Sequence, residues 1–107
     1  MVNTLTVTSD EFRTIALSLP GAEEGSHMDH PDFRVGGKIF ATLGPDLTWG
    51  MAKLTPAQQQ DYLRMDTANF KPASGKWGTS GATVITLADA EEDAVRNALQ
   101  TAWQNLM

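Results

Sequence analysis

The sequence contains no cysteine. This absence excludes a disulfide scaffold, a cysteine-ligated zinc site and a catalytic thiol. Long apolar runs are absent too, and none approaches the ~20 residues that a bilayer-spanning helix needs. Residues 1–5 have neither the basic start nor the apolar core of a signal peptide. We therefore expect a protein without a membrane segment, located in the cytoplasm.

Positive charge is scarce as well, since 8 Lys and Arg stand against 13 Asp and Glu and give a net charge of −5. The cations are nevertheless concentrated. Residues 31–81 hold six of them against four Asp, and the rest of the chain holds two against nine acids. An acidic chain repels polyanions at long range, so any contact with nucleic acid has to come from a locally basic face. The length of 107 residues and the 41% hydrophobic content fit one domain spanning residues 1–107.

Two capping boxes predict the starts of two helices. Thr8 and Glu11 stand in the order in which a hydroxyl accepts from an early backbone amide and a carboxylate reaches back to the cap. Thr55 and Gln58 repeat this pattern, with Pro56 at the first helical position, which proline tolerates. The predicted helices cover residues 9–19 and 55–65.

A third helix is predicted after residues 89–92, whose acidic side chains favour the positive end of a helix dipole. Its apolar spacing defines a buried side. The residues on that side are Ala94, Val95, Ala98, Leu99, Ala102, Trp103 and Leu106.

Strands are predicted between these helices. Gly36-Gly37 separates two strand-like runs and suits a tight hairpin turn. With a two-residue turn, strict alternation places Phe33, Val35 and Phe40 on one face and Ile39, Ala41 and Leu43 on the other. A third strand covers residues 47–54, and its alternate residues Leu47, Trp49 and Met51 form an apolar face. Residues 83–87 are dense in β-branched residues and form the clearest strand.

The remaining segments are predicted to be irregular. Residues 23–31 are interpreted as a polar loop, residues 66–71 as irregular or a short strand, and residues 75–81 as turns. Trp49 and Trp103 are assigned to the core. Short connections between strands favour antiparallel pairing, so the predicted fold is α+β: a mainly antiparallel sheet of four to five strands packed with about three helices.

Several motifs along the chain occur together in one known family. They are the run ALSLPGAEE at 16–24, His27, the hairpin FRVGGKIFA at 33–41, Lys53-Leu54, Trp77-Gly78, Gly81-Ala82-Thr83 and Ala102-Trp103. In their order and spacing the chain resembles the MmcQ/YjbR-like family over nearly its whole length. The resemblance implies a fold related to the frataxin (CyaY-like) group, an antiparallel sheet covered by helices. It also implies the "double wing" description under which such proteins are regarded as DNA-binding.

The resemblance and the basic middle segment together predict weak, non-specific DNA binding by two wing-like hairpins. The predicted contacts are Arg34, Lys38, Lys53, Lys71, Lys76 and Trp77. Each has a structural alternative. Charged residues at a hairpin tip also discourage edge pairing, and a large aromatic such as Trp77 more often packs over the edge of the core, which we favour for this ring.

A second hypothesis concerns the acidic segment of Glu23, Glu24, His27, Asp29, His30 and Asp32. His27, Asp29 and His30 offer imidazole and oxygen donors to a divalent metal or a small ligand. The alternative is a solvated loop whose histidines bond to the backbone. A histidine beside a carboxylate also suits acid–base chemistry, but no nucleophile motif accompanies it. We therefore favour a binding module over an enzyme and assign no catalytic residue and no cofactor.

Three function classes thus remain after the sequence analysis. The leading one is a DNA-binding module, the second a small-molecule or metal-binding protein with or without enzymatic activity, and the third a protein-interaction adaptor. We expect a monomer. One basic face would favour the first class, and a concave pocket lined by histidine would favour the second.

Overall fold

The computed structural model describes residues 7–107, so the absence of a signal peptide predicted for residues 1–5 lies outside the described residues. Four helices and six strands are described, and four of the strands follow one another between the first two helices. Their bounds are α1 Ser9–Leu17, β1 Glu23–His27, β2 His30–Val35, β3 Lys38–Leu43, β4 Trp49–Lys53, α2 Pro56–Met65, β5 Phe70–Pro72, α3 Gly75–Thr79, β6 Ala82–Thr86 and α4 Glu92–Gln104. Within the described part of the chain, no helix is long and apolar enough to cross a membrane.

The six strands form one sheet in the order β1-β2-β3-β4-β6-β5, and all of its pairings are antiparallel. This confirms the predicted α+β class. Residues 7–107 hold six strands where four to five were expected, and four helices where three were expected. The additional elements come from segments interpreted as loops or turns.

The prediction of a polar loop over residues 23–31 is wrong. Glu23–His27 pairs along its whole length with β2, from Glu23 opposite Arg34 to His27 opposite His30. A two-residue turn connects the strands, and its residues Met28 and Asp29 both have positive φ. The sequence EEGSH lacks the apolar alternation of a half-buried strand because β1 is an edge strand with both faces largely exposed.

The local predictions for helix starts are confirmed. Thr8 and Glu11 form a reciprocal capping box, and so do Thr55 and Gln58. In contrast, α4 begins at Glu92 with Glu91 as its N-cap, and no side-chain hydrogen bond closes that cap. Short-range hydrogen bonds between residues three apart fix the first two boundaries, which is why sequence spacing finds them.

The Gly36-Gly37 turn is also confirmed, with φ values of 59° and 80° that favour glycine. Strict alternation predicts the wrong face for Ala41 and Leu43, however, because the register between β2 and β3 shifts after Phe33. This β-bulge places one extra residue in β3 and inverts the alternation beyond it. As a result Ala41 lies opposite Phe33, and Ile39 lies opposite Arg34.

Helices α1 and α4 cover one face of the sheet. The ring of Phe12 in α1 packs directly on Gly50 of β4. A Cβ atom at Gly50 would collide with this ring. Helix α2 adds Tyr62, whose ring stacks on Phe70 at a centroid distance of 5.5 Å. The fully buried side chains of α4 are Val95, Ala98, Leu99 and Ala102.

The opposite face is not covered by α1 or α4, and Trp49 and Met51 point to it. In β4, Gly50 and Ala52 are buried, whereas Trp49, Met51 and Lys53 are partly or fully exposed. The assignment of Trp49 to the core is therefore wrong, because the strand turns its apolar face away from the helices. Leu47 precedes the strand in a turn with φ of 63° and is exposed.

Trp103 lies at the rim of the core, as expected in part. It is partly buried against the core cluster, and its indole Nε1 donates a hydrogen bond of 2.8 Å to the carbonyl oxygen of Pro20. This contact joins the end of α4 to the segment after α1.

Gly50→Ala is expected to lower the free energy of unfolding by about 1–3 kcal/mol, because the added methyl group overpacks the buried Phe12 ring. Gly36→Ala is the matched control. It meets no neighbouring atom, and its cost is limited to the roughly 1 kcal/mol of a left-handed backbone. Urea unfolding of both variants measures the difference. Equal midpoints would show that α1 does not approach β4 as described.

Candidate site on the uncovered sheet face

The sheet face turned away from α1 and α4 is the open face. Strand alternation and pairing place alternate residues of each strand on it. For example, Met51 of β4 lies between Thr42 of β3 and Val84 of β6. The open face comprises His27, His30, Asp32, Arg34, Ile39, Thr42, Trp49, Met51, Lys53, Lys71 and Val84.

A groove of about 460 Å³ crosses the open face. Its floor is formed by Ile39, Thr42 and Met51, one wall by the β1–β2 turn with His27, and the other wall by the segment carrying Trp77. The lining is mainly apolar. A groove with aromatic side chains in both walls and few polar groups has the character of a ligand site.

Helix α3 positions the Trp77 wall. The buried amide of Gln59 in α2 donates two hydrogen bonds of 3.0 Å, to the carbonyl oxygens of Gly78 and Ala82. Gly78 packs so closely on the backbone of Ala73 that a Cβ there would collide with it. These contacts fix α3 beside the ends of β5 and β6.

The prediction of turns over residues 75–81 is wrong, because Gly75–Thr79 forms a short helix between β5 and β6. The same helix replaces the wing-like hairpin that was predicted to carry Lys71 and Lys76. The favoured interpretation of Trp77 as cover for the core edge is also wrong. Its surface is 60% exposed, because α3 carries the indole outward over the groove.

Next to His27 of the other wall lies a buried carboxylate, Asp32, with a side-chain exposure of 0%. Arg34 donates to it twice, from Nε to Oδ1 at 2.7 Å and from Nη2 to Oδ2 at 3.0 Å. Nδ1 of His27 lies 2.7 Å from Oδ2. Gly25 leaves the necessary space across the strand pair, since a Cβ there would lie 3.0 Å from Oδ1.

Hydrogen bonding from Arg34 holds the pKa of Asp32 below its usual value, although burial opposes this shift. The same ion pair raises the pKa of Arg34. Because both groups keep their charges, the Asp32 cluster, which comprises Asp32, Arg34 and His27, is a fixed ionic element of the open face.

The predicted ligand residues His27, Asp29 and His30 adopt a different arrangement from a metal site. The rings of His27 and His30 stack at 5.6 Å, and His30 also meets the ring of Trp49 edge-on at 6.1 Å. Asp29 lies exposed in the turn. Among residues 7–107, no three His, Cys, Asp or Glu side chains are grouped to hold a metal ion.

Two buried polar atoms near the groove, Nδ1 of His30 and Oγ1 of Thr42, have no hydrogen-bond partner among residues 7–107. Thr42 is 3% exposed and forms part of the groove floor. Buried hydroxyl groups are normally hydrogen-bonded, so an unpaired one next to a cavity indicates a place for a ligand group.

The predicted DNA contacts mostly lie on the side of the open face. Lys53 extends over Trp77, with Nζ 5.2 Å from the ring centroid, within the range of a cation–π interaction. A second hollow of about 280 Å³ adjoins this pair and is lined by Lys76. Lys71 lies on the same face, opposite Val84. Arg34 is held at the other wall by Asp32.

Lys38 is the exception among the predicted contacts. It lies directly opposite Val35 across the Gly36-Gly37 turn, and Val35 packs against the core. Paired residues of antiparallel strands share a face, so Lys38 lies on the helix-covered side.

Acidic residues lie mainly elsewhere. The first turns of α1 and α4 carry Asp10, Glu11, Glu92 and Asp93. Glu23 and Asp29 are exposed acids at the β1 edge of the open face. The two walls of the groove therefore differ in charge, with lysines at the Trp77 wall and carboxylates near the turn.

Thr42, Ile39 and Met51 were not predicted as site residues, and Asp32 was named only as one acid of the segment around His27. The spacing of Asp32 and Arg34, two apart in a strand, places both on one face and could have indicated their ion pair. Thr42 gave no such signal, because the bulge after Phe33 determines which residues of β3 face the groove.

Known proteins identify the family of this chain. The family model YjbR matches residues 17–105, and the chain belongs to this family. No curated protein matches it. The crystal structure of Deinococcus radiodurans protein DR2400, which carries a DUF419 domain, superposes with a TM-score of 0.78 at 16% sequence identity, covering 99% of this chain and 82% of that chain. At this identity the likeness shows a shared fold.

Asp32→Asn is expected to lower the free energy of unfolding on the order of 1–3 kcal/mol, because it removes the charged acceptor of Arg34 and His27 within a buried position. Asp29→Asn removes the same charge from an exposed turn and serves as the control. Thermal and urea unfolding compare the two variants. Equal effects would show that the Asp32 cluster is not a stabilising element.

The contribution of Asp32 should also depend on pH. Its pKa is lowered in the folded state, so its stabilisation is complete above the unfolded value of about 3.9 and is lost as pH falls through the lower folded value. The difference in unfolding free energy between the unmodified protein and Asp32→Asn should be constant from pH 5 to about 7 and shrink below about pH 4. A difference that persists unchanged in acid would contradict this assignment.

Proposed function

We propose that this member of the YjbR family is a binding module for DNA and that it uses the open face. The observation that carries the proposal is the placement of Lys53 and Lys76 beside the exposed ring of Trp77, on the side that α1 and α4 leave uncovered. Lys71 lies farther along the same face, opposite Val84. The family resemblance supports the same function. In this proposal the site works by binding alone.

The chemistry of the Trp77 wall suits a nucleic-acid backbone. Exposed lysine ammonium groups attract phosphates and release the counterions that those phosphates hold. An exposed indole offers a surface on which any base can stack. The lysines supply charge without a bidentate pattern for base edges, so the proposed binding has little sequence preference.

The net charge limits the affinity. At −5 the chain as a whole repels DNA, and only four cations lie on the open face in the described residues: Arg34, Lys53, Lys71 and Lys76. Arg34 already pairs with Asp32. We therefore expect dissociation constants in the non-specific range of about 10⁻⁴ to 10⁻⁶ M at physiological salt.

The test is a fluorescence-anisotropy titration of labelled DNA at several salt concentrations. Lys71→Gln with Lys76→Gln should weaken binding to all sequences alike and flatten the slope of log K against log salt by about 1.4 on single strands or 1.8 on duplex. Both lysines are exposed, so the double variant should remain folded.

A charge-matched control separates local contacts from net charge. Lys38→Gln with Arg64→Gln removes the same two charges, from the helix-covered side of the β2–β3 hairpin and from α2. The control should leave the slope unchanged. Absence of binding at low salt, or equal effects of the two double variants, would refute the proposed site.

A further inference from the structure

The groove on the open face has aromatic side chains in its walls and room for a flat ring. Its volume of about 460 Å³ exceeds that of a single nucleobase but falls in the range of small-molecule sites. Its two walls carry the Trp77 indole and the His27 imidazole, and its floor carries Ile39 and Met51. Flat aromatic ligands gain most from such apolar and aromatic surroundings.

The floor of the groove also carries the buried hydroxyl group of Thr42. Thr42 is 97% buried, and its hydroxyl has no partner in the described part of the chain. Buried hydroxyl groups are normally hydrogen-bonded, so this position favours a ligand with a polar edge. A hydroxyl both donates and accepts, so it suits a donor or an acceptor on that edge.

The positive charges beside the groove favour a ligand that carries a negative group. Lys53 lines the same groove and keeps its ammonium group over the Trp77 ring. Lys76 lies next to it in the adjoining hollow. A ligand that satisfies all three features has a flat ring, a polar ring edge and a negative group attached close by. A nucleotide has these three features.

We propose that the groove binds one unstacked nucleobase of single-stranded nucleic acid, with its ring against Trp77, its polar edge at the Thr42 hydroxyl and its flanking phosphate at Lys53. This inference rests on the function proposed above and specifies its substrate as a single strand. A base within a duplex is stacked on both sides and paired at its edge, so it reaches such a slot only after unpairing.

The experiment compares three labelled ligands of equal length: a single-stranded dT oligonucleotide, the same backbone with abasic residues throughout, and a duplex. Free thymidine monophosphate is added as an unlabelled competitor to measure its own affinity. We expect the dT strand to bind at least about fivefold more tightly than the abasic strand, because stacking on an aromatic side chain stabilises each bound base. Trp77→Ala should abolish this ratio and leave the salt slope unchanged. The ring is exposed, so its removal should not unfold the protein.

Thr42→Val provides an independent variant of nearly the same shape. Removing an unpaired buried hydroxyl should leave the urea midpoint unchanged or raise it. The same substitution should weaken binding of the dT strand about two- to tenfold, the range for one lost hydrogen bond, and leave the abasic strand unaffected. Higher stability together with weaker base-dependent binding is not expected of a purely structural threonine.

The outcomes distinguish this inference from the proposed function. If the abasic strand or the duplex binds as tightly as the dT strand, the base slot is refuted while phosphate binding stands. If free thymidine monophosphate binds as tightly as the strand and Thr42→Val weakens it, the occupant is a free nucleotide, and the inference of a strand is overturned. If none of the ligands binds at low salt, the proposed function fails together with the inference.

Discussion

Asp32 is a carboxylate with no exposed surface on β2, next to edge strand β1, and the arrangement around it depends on its charge. A buried charge is tolerated only with hydrogen-bonding partners of opposite charge or strong polarity. Arg34 and His27 are those partners. Arg34 lies on β2 with Asp32, whereas His27 lies on the neighbouring strand β1. Edge strand β1 has no fully buried residue, so backbone pairing and this cluster hold it to the sheet. The position of the His27 wall of the groove therefore follows from the burial of Asp32.

One-sided coverage of the sheet creates the rest of the site. Phe12 packs onto Gly50, and the apolar side of α4 covers the middle strands, so the hydrophobic core lies on one face. Trp49 and Met51 remain on the other face as partly exposed apolar residues. Contiguous exposed apolar surface rimmed by charge is typical of binding sites. The lysines at the Trp77 wall provide that rim.

Sequence reasoning succeeded where structure is local and failed where it depends on distant contacts. The capping boxes at Thr8 and Thr55 and the Gly36-Gly37 turn involve residues two to three apart, so spacing alone predicts them. β1 forms only because β2 lies beside it. Helix α3 forms where the Gln59 amide donates a hydrogen bond to the carbonyl oxygen of Gly78. The bulge after Phe33 decides the face of Thr42. The basic residues were thus predicted as candidates, whereas the groove that joins them to Thr42 and Asp32 was not.

The acidic net charge is compatible with a nucleic-acid site because the exposed acids of α1 and α4 lie farther from a phosphate on the open face than the lysines do. The shorter extents of the molecule are 26 and 24 Å, whereas the Debye length at physiological ionic strength is about 8 Å. Phosphates on the open face then interact mainly with nearby lysines, and the exposed acids of α1 and α4 are largely screened. At about 0.01 M salt the Debye length grows to about 30 Å, and the whole charge of −5 opposes binding. Long-range repulsion therefore offsets part of the gain from counterion release at low salt, so the total slope understates the number of phosphates contacted. The repulsion is common to variants of equal net charge, and only a difference between such variants counts the local contacts.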